Sequence, residues 1–495
     1  MRMMMGAMAM LAAATPAAAQ QNERFARAVQ AVEERLHAVD ALGEYPGRAL
    51  VMVKRGEAPI VDVIGSTRAE GGVAADGETP FYIASMTKAF VGLMAVRLDE
   101  MGVMPLDTTI GELFPEMKVE GIDFDALTMR DALTHQLGFR APALNIRTAY
   151  TDLVPIKDYP AIVNAAGEAN GEAFRYDNLG YLLYAAALEA KTGKSWRAWI
   201  DDVVFDPLGM THTSARTSDF PEVSHSHEVR IDGPKTFAPK TDAIMHAAGG
   251  LVISADDMAR WLLANAGDAS AIPQDVIDKA QASQVPIEMS GGPMTCTGYA
   301  FGWRRCEAFG MTVLGHGGGY TGMRSQMLVL PEEGVGFAIM FNSDAMTGGL
   351  SEQMMETFLT VYADGEAELP TIDAFKKAYA ERVQTLKERR QEYYDGVWDD
   401  ERWGGWAWQP SVEALSAYSG RYTHPAAGTM VVSIGEGALT ARLNGMAIET
   451  RPAKVDLFCA TLATDPEPES MAFERAEDGR VTSVTYSGVG FTRVD

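Results

Sequence analysis

The chain has 495 residues, of which 47% are apolar and 22% are charged, and its formal net charge is −25. This composition is typical of globular proteins and excludes an extended disordered chain, and the length predicts two or three domains. The excess of acidic side chains repels phosphate backbones, which excludes nucleic acid as a partner.

The N-terminus, MRMMMGAMAMLAAATPAAAQQ, has the pattern of a cleavable signal peptide over residues 1–19. Arg2 supplies the positive start, an apolar run follows, and the alanines at 17–19 fit the small-residue cleavage rule. The run is too short to cross a bilayer, and no later stretch reaches about 18 uncharged apolar residues. We therefore expect a periplasmic or secreted protein without a transmembrane anchor.

The first elements of the mature chain are predicted from apolar periodicity. Residues 22–43 carry apolar side chains at helical spacing. The stretch GRALVMVKRGEAPIVDVIGS predicts two strands around a turn at 55–57. The segment Ser85–Met101 is apolar nearly all round, which predicts a buried helix.

The middle of the chain changes character near Tyr299. Residues 105–265 alternate helical runs with loops, whereas YAFGWRR, MTVLG, SQMLVL and VGFAIMF are short apolar runs that predict antiparallel strands. A helix is predicted near 351–362. Strands at both ends with helices between them favour an α+β domain over 22–365, with one antiparallel sheet flanked by helices.

The C-terminal part has a different texture. Residues 366–410 predict a charged helix and a connector, VWDDERWGGWAWQP, that holds four of the eight tryptophans. These aromatic residues suit either a docking surface or packing between domains, and we favour packing. From Val412 onward, turn signals recur every 8 to 12 residues, which predicts a small β-barrel or sandwich over 411–495.

The cysteines and a histidine pair give no sign of a metal site. Export makes disulfides possible, but the sequence TGYAFGWRR between Cys296 and Cys306 predicts one extended strand. Ten extended residues span about 33 Å, so we expect these two cysteines and Cys459 to be free thiols. His225 and His227 lie in the polar stretch EVSHSHEVR, which predicts surface positions. Because no Cys or His spacing suits zinc, we expect no metal and no other cofactor.

The stretch FYIASMTKAF places Ser85 three residues before Lys88 in an apolar run. Burial lowers the pKa of a lysine, which makes it a base or a proton relay, and a serine at a helix start can use its own amide in an oxyanion hole. The alternative is that Ser85 only caps the helix and Lys88 reaches water. The motif is short, so other elements must decide.

Two further elements carry polar residues at turns. Tyr176 and Asn178, in FRYDNLGY, precede a helix predicted to begin near Gly180. A phenol beside an ammonium ionises more readily, although a packed tyrosine and a turn asparagine are the alternative. His316–Gly319 ends a predicted strand, and its three glycines allow close approach of a substrate backbone unless they form an edge bulge.

These three elements together resemble the serine β-lactamase and penicillin-binding-protein family, through S-x-x-K, Y-x-N and H-x-G motifs. The stretches LTMRDALTHQLGF, VVFDPLGMTHTS and AAGGLVISADDMARW resemble other family segments in the same order, so the resemblance covers about 25–362. The branch most similar comprises class C β-lactamases, D-aminopeptidases, DD-carboxypeptidases and β-lactamase-like esterases. The C-terminal barrel resembles the lipocalin-like domain often appended to these hydrolases.

The resemblance implies that Ser85 is the acylated nucleophile and that Lys88 and Tyr176 share the proton transfer. Which of the two is the general base stays open. The amides of Ser85 and Gly319 are implied to form the oxyanion hole. The residues implied to bind substrate are Asn178, His316, Gly318 and Gly319.

The third motif departs from penicillin-recognising members, which commonly have Lys-Thr/Ser-Gly to bind a substrate carboxylate. Here His316 is mostly neutral near pH 7, and Gly317 lacks the hydroxyl. We therefore expect a serine hydrolase acting on short peptides, with or without D-residues, or on small esters. The alternatives are a DD-carboxypeptidase or weak β-lactamase, and a non-catalytic peptidoglycan-binding protein. The expected partner is the substrate, and a homo-oligomer stays open.

Overall fold

The computed structural model describes residues 16–268, 271–364 and 369–495. Most of the predicted signal peptide, residues 1–19, lies outside the described residues, and its last four residues begin helix α1 (Pro16–Asp40). Across the described ranges, no helix combines the length and the apolar character needed to cross a membrane.

Eight of the described strands form one antiparallel sheet, which confirms the predicted α+β class. Two strands near the N-terminus, on either side of the predicted turn, join six from the later part of the domain. The strands are β1 (Gly47–Lys54), β2 (Ile60–Gly65), β3 (Val285–Gly291), β4 (Met294–Tyr299), β5 (Arg304–Ala308), β6 (Met311–Tyr320), β7 (Met323–Leu330) and β8 (Val335–Phe341). Their order is β3-β4-β5-β6-β7-β8-β1-β2, so β1 pairs with β8 and the two ends of the domain meet in one sheet.

Helices cover both faces of this sheet. On one face, Phe358 packs against Phe25 and against Phe337 of β8. On the other face, Phe90 stacks on Trp261 with ring centroids 3.7 Å apart. The longer helices are α2 (Thr87–Glu100), α3 (Leu179–Thr192), α4 (Ala255–Asn265), α5 (Gln274–Gln281), α6 (Thr347–Tyr362) and α7 (Ile372–Asp399). Shorter helical segments are Ile110–Leu113, Met129–Leu133, Pro142–Ile146, Arg147–Thr151, Tyr159–Ala166, Trp196–Ile200, Asp201–Phe205, Asp206–Leu208 and Val412–Ser416.

The C-terminal strands close into an eight-stranded barrel, as predicted. They are β9 (Gly420–His424), β10 (Gly428–Gly435), β11 (Ala438–Leu443), β12 (Met446–Lys454), β13 (Leu457–Leu462), β14 (Asp465–Arg475), β15 (Val481–Tyr486) and β16 (Val489–Arg493). In the connector before the barrel, Trp403 is fully buried with Ala453 and Cys459. Trp403 therefore packs against the barrel, whereas packing of the connector between the two domains stays a prediction.

The barrel contacts the first part of the chain through the turn between β13 and β14. The Thr464 hydroxyl donates to the carbonyl of Tyr150 at 2.9 Å, and the Thr321 hydroxyl donates to the carbonyl of Thr464 at 3.4 Å. Nearby, the Arg147 guanidinium donates to the carbonyl of Ala426 at 3.3 Å. These contacts place the barrel beside the end of β6.

The prediction that Cys296 and Cys306 are free thiols is wrong, because the two form a disulfide. The chain between them does not stay extended: it reverses over residues 300–303, so β4 and β5 form a hairpin with the two cysteines opposite each other. Cys459 is free and buried, and burial raises the pKa of its thiol to about 11.

The surface prediction for His225 and His227 is also wrong. His227 is fully buried, with Nδ1 2.7 Å from the carbonyl of Asn342 and Nε2 accepting from the amide of Ala69 at 3.1 Å. His225 is half-buried, with Nδ1 3.0 Å from the carbonyl of Phe237. Burial lowers the pKa of both imidazoles. The polar character of this stretch therefore does not indicate exposure, because its histidines form hydrogen bonds to backbone groups of neighbouring segments.

Replacing both Cys296 and Cys306 by serine should lower the free energy of unfolding by about 3 kcal/mol, because the unfolded chain loses a cross-link over a short loop. Urea denaturation of the oxidised protein and of the double variant measures this difference. The unreduced, denatured wild type should titrate one thiol per chain, and Cys459→Ala should titrate none. Three reactive thiols in the wild type would contradict the disulfide.

Candidate active site

Ser85 lies in a short 3-10 turn, Ala84–Met86, directly before α2. The predicted helix therefore begins two residues later than expected. Ala84 has a φ of 46°, in the left-handed region that is unfavourable for a residue with a Cβ atom. The amide of Ile83 donates to the carbonyl of Leu251 at 3.1 Å, which anchors the start of the turn. The turn presents Ser85 to a cavity.

Lys88 is fully buried beneath Ser85, so the alternative that it reaches water is wrong. Its ammonium donates to Ser85 Oγ at 3.1 Å, to Asn178 Oδ1 at 2.8 Å and to the carbonyl of Ala248 at 2.8 Å. All three donors of a protonated lysine are thereby used. Burial lowers the pKa of Lys88, and the charges of Tyr176 and Asp177 act in the opposite direction.

The loop that carries Asn178 is held by its neighbours. Asp177 Oδ1 accepts from the amide of Leu179 at 2.7 Å and from the side-chain amide of Asn145 at 2.6 Å. The amide of Asp177 donates to Nδ1 of His135 at 3.2 Å. The loop leads into α3, close to the predicted helix start, and it directs the Asn178 side chain to Lys88 instead of capping the helix.

Tyr176 lies at one end of the site, which we call the tyrosine end and define by Tyr176, His316 and Arg304. The ring centroid of Tyr176 is 4.9 Å from Lys88 Nζ and 5.8 Å from the centroid of His316. The guanidinium of Arg304 lies 5.8 Å from the same centroid. Arg304 was not predicted from the sequence, and within the described ranges it forms no ion pair.

His316 is buried and neutral. Its Nδ1 is 2.7 Å from the carbonyl of Gly317, and its Nε2 is 3.5 Å from the Tyr299 hydroxyl. Burial lowers the pKa of His316 well below its usual range, and the positive charges of Arg304 and Lys88 act in the same direction. The imidazole therefore supplies no positive charge to a substrate carboxylate.

The glycines of β6 let this strand pass directly against the 84–86 turn. A Cβ atom on Gly318 would lie 2.1 Å from the carbonyl oxygen of Ile83, so only glycine fits at that position. The pairing of β6 with β5 ends at Gly315, opposite Arg304, whereas its pairing with β7 continues to Tyr320. The segment is thus a regular strand with one free edge, and the alternative of an edge bulge is wrong.

A cavity of about 150 Å³ lies beside Ser85. It brings together three of the predicted residues, Ser85, Asn178 and Gly319, while Lys88, Tyr176, His316 and Gly318 lie outside its lining. The other lining residues are Tyr82, Ala84, Asn145, Ile146, Ala149, Tyr150, Lys240, His246, Ala248, Gly249 and Tyr320. Several come from loops whose sequence carries no readable specificity signal, which is why sequence reasoning missed them.

A second cavity, of about 720 Å³, opens on the other side of Tyr150 and Tyr320. The two rings stack with centroids 5.5 Å apart and separate the two spaces. Asp465 and Glu467 of the barrel line the larger space. The barrel therefore lines the space next to the cavity that holds Ser85.

The arrangement offers a hydroxyl beside a buried amine, a phenol near that amine and a free strand edge. These are the components that acyl transfer uses. Among the residues that the structure describes, no three His, Cys, Asp or Glu side chains are grouped so that they could hold a metal ion.

Two family models match the chain. One, described as "Beta-lactamase", matches residues 33–355, and the other, "Domain of unknown function (DUF3471)", matches residues 407–493. Protein flp of Staphylococcus aureus (strain COL) is 22% identical over 305 residues, which is 61% of this chain and 60% of that protein. The chain therefore matches little more than half of the length of this relative.

Solved structures that share the fold include the following two. A penicillin-binding protein homologue from Pyrococcus abyssi, described as octameric, has a TM-score of 0.59 and 21% identity, with 94% of this chain and 100% of that chain covered. The D-amino acid amidase from Ochrobactrum anthropi SV3 has a TM-score of 0.57 and 20% identity, with 68% and 99% covered. Because the first family model spans well over half of the chain, this protein belongs to the beta-lactamase and penicillin-binding-protein-like family of hydrolases.

Proposed function

We propose that this protein cleaves amide or ester bonds of short peptides or small esters through an acyl-enzyme on Ser85. One observation carries the proposal: Lys88 Nζ is held 3.1 Å from Ser85 Oγ, while its other two bonds go to oxygens that only accept. A deprotonated Lys88 keeps those two bonds and directs its lone pair at the serine hydroxyl. Burial favours this neutral form.

In the proposed reaction, Ser85 Oγ attacks the substrate carbonyl and its proton passes to Lys88, directly or through Tyr176. The amides of Ser85 and Gly319 donate to the oxyanion. Collapse of the intermediate breaks the bond to the leaving group, which takes up the proton on the Tyr176 side. Water then attacks the ester and regenerates the serine by the reverse proton path.

The residues at and near the tyrosine end provide evidence about the class of substrate. A neutral His316 and the missing hydroxyl at Gly317 argue against recognition of a carboxylate by the third motif, which supports a peptidase, amidase or esterase. The likeness to a D-amino acid amidase supports amide substrates that contain D-residues. The second candidate, a DD-carboxypeptidase or weak β-lactamase, is favoured by Arg304, because its guanidinium, which forms no ion pair with the described residues, can bind a carboxylate at two points.

The proposal also covers three properties of the whole protein, which are its export, its division into domains and its assembly. The N-terminal pattern supports a periplasmic or secreted enzyme. The two family matches support separate hydrolase and barrel domains joined by the 366–410 segment. The octameric homologue with the same fold supports a homo-oligomer. A catalytically silent binding protein of this fold would not need the Ser85–Lys88 contact.

Ser85→Ala should lower kcat/KM by roughly 1,000-fold or more, because no acyl-enzyme can form. The assay uses D- and L-aminoacyl anilides, a short-chain nitrophenyl ester and a chromogenic cephalosporin. Ser433→Ala, on an exposed barrel strand, is the matched control and should match the wild type. Undiminished turnover in Ser85→Ala would refute the proposal.

The same assay separates the two candidates when it includes one D-peptide with a free C-terminal carboxylate and the same peptide as its amide. Preference for the amide favours the peptidase or amidase. Preference for the carboxylate, together with cephalosporin turnover, favours the DD-carboxypeptidase or β-lactamase.

If Lys88 acts as the base, the rate should rise with pH as Lys88 loses its proton. The midpoint of this rise should lie at a pH below 10.5, the ordinary pKa of a lysine, because burial lowers the pKa of Lys88. Lys88→Arg cannot deprotonate and should be slow without this rise. The pH profile of kcat/KM for both proteins provides the measurement, and an unchanged profile in Lys88→Arg would assign the base role to another group.

Gly318→Ala should lower kcat by roughly 100-fold, because its Cβ would push β6 away from the 84–86 turn. Gly317→Ala is the matched control: its Cβ would meet only the Gln326 side-chain tip, which can rotate away. This control should change kcat by about twofold at most. Equal effects of the two variants would contradict the role assigned to β6, and circular dichroism checks that both fold.

A further inference from the structure

Lys240 is a second buried lysine beside the catalytic cavity. It is only 6% exposed and lines the same space as Ser85. Its ammonium makes one long hydrogen bond, 3.4 Å to the Tyr82 hydroxyl, and lies 4.3 Å from the ring centroid of Tyr320. Two of its three donors are therefore without an acceptor among the described residues. Burial lowers the pKa of Lys240 to about 7.

Among the described residues that line the cavity with Lys240, none is a carboxylate. Tyr82, Tyr150, Tyr320 and His246 line the cavity with it. The carboxylate closest along the chain, Asp242, is engaged by the Ser218 hydroxyl. A buried cation without a partner anion is energetically costly. A bound ligand could supply the negative charge that the cavity lacks.

His246 adds a second unsatisfied polar group to this end of the cavity. Its Nδ1 is buried and has no hydrogen-bond partner among the residues that the structure describes. Burial lowers the pKa of His246 well below its usual range, and the charges of Lys240 and Lys88 act in the same direction. A neutral imidazole can donate one N–H to an acceptor that enters the cavity.

The position of Lys240 relative to the reaction decides which part of the substrate it meets. The leaving group takes its proton on the Tyr176 side, so it departs towards the tyrosine end. On β6, His316 marks that end, and Tyr320, which packs on Lys240, lies four residues further along. The acyl part stays on Ser85 and occupies the cavity of about 150 Å³, which equals about five water volumes at roughly 30 Å³ each.

We propose that Lys240, assisted by His246, binds a carboxylate on the acyl part of the substrate. The preferred acyl donors are then amides or esters of short dicarboxylic acids, including acidic aminoacyl groups. This inference rests on the proposed acyl-enzyme at Ser85 and specifies its substrate class. The competing role is structural, with Lys240 only packing between Tyr82 and Tyr320.

The test compares glutaryl nitroanilide with pentanoyl nitroanilide, which differ by the terminal carboxylate. The wild type should prefer the glutaryl compound by roughly 10- to 100-fold in kcat/KM, the effect of a charged hydrogen bond. In Lys240→Met, the ratio of the two values should fall to about one. Lys235→Met, an exposed lysine of the same loop, is the matched control and should keep the wild-type ratio. If Lys240→Met lowers kcat/KM for both anilides but keeps the wild-type ratio of the two values, the structural role of Lys240 is supported.

The pH dependence of the ratio gives an independent readout. Lys240 carries its charge below its pKa, so the glutaryl preference should be full at acidic pH and decline as the pH rises through about 7. Among the other described groups that line the cavity, burial raises the pKa of Tyr82, Tyr150 and Tyr320 and lowers that of His246, so we expect none of these four to change charge as the pH rises through about 7. Titration of Lys88 affects both substrates equally and cancels in the ratio.

The outcomes separate this inference from the proposed function. Turnover that persists in Ser85→Ala overturns the proposed function. Turnover that requires Ser85 but shows no glutaryl preference overturns only the role of Lys240. If neither anilide is cleaved, calorimetry with carboxypropylboronic acid and butylboronic acid, which form serine adducts, decides: equal affinities in the wild type would refute the carboxylate subsite.

Discussion

The hydrogen bonds of the buried Lys88 ammonium are the interaction on which the site depends. Its partners come from three separate segments: the turn before α2, the loop before α3 and the stretch at Ala248. Removing one partner would leave a buried polar group without a hydrogen bond, which typically costs about 1–3 kcal/mol. The same bonds that hold these segments together therefore also place an amine beside Ser85. Stability and the proposed chemistry rest on one group.

Strand β6 determines how the site around Ser85 and Lys88 is laid out. Because Gly318 has no side chain, the strand lies against the 84–86 turn and divides the site into two ends. The tyrosine end holds the phenol and the Arg304 guanidinium, which suit proton delivery and recognition of the leaving group. The other end holds Lys240, buried without an anion. A substrate that spans Ser85 would meet a different positive group on each side, although the whole chain is strongly acidic.

The barrel takes part in this architecture through the turn that holds Thr464. Thr464 bonds to the backbone of Tyr150, and the Tyr150 ring stacks on Tyr320 at the wall of the catalytic cavity. Asp465 and Glu467 line the larger space beyond that wall. The barrel, which matches a family model described as a domain of unknown function, thus lies next to the cavity that holds Ser85. Its acidic groups would oppose the entry of anions, whereas Lys240 would favour an anion that has entered.

The sequence by itself determined the local features: the Ser85–Lys88 spacing, the Tyr176–Asn178 loop, the glycine strand, the α+β class and the barrel. Each depends on periodicity or on a motif within one element, which neighbouring residues encode directly. The tertiary structure alone decided the Cys296–Cys306 disulfide, the burial of His227, the approach of Arg304 to Tyr176 and the position of Lys240 in the cavity beside Ser85. These outcomes depend on how distant segments pack together, because a reversal of the chain or a shared cavity leaves no periodic trace in the residues that form it.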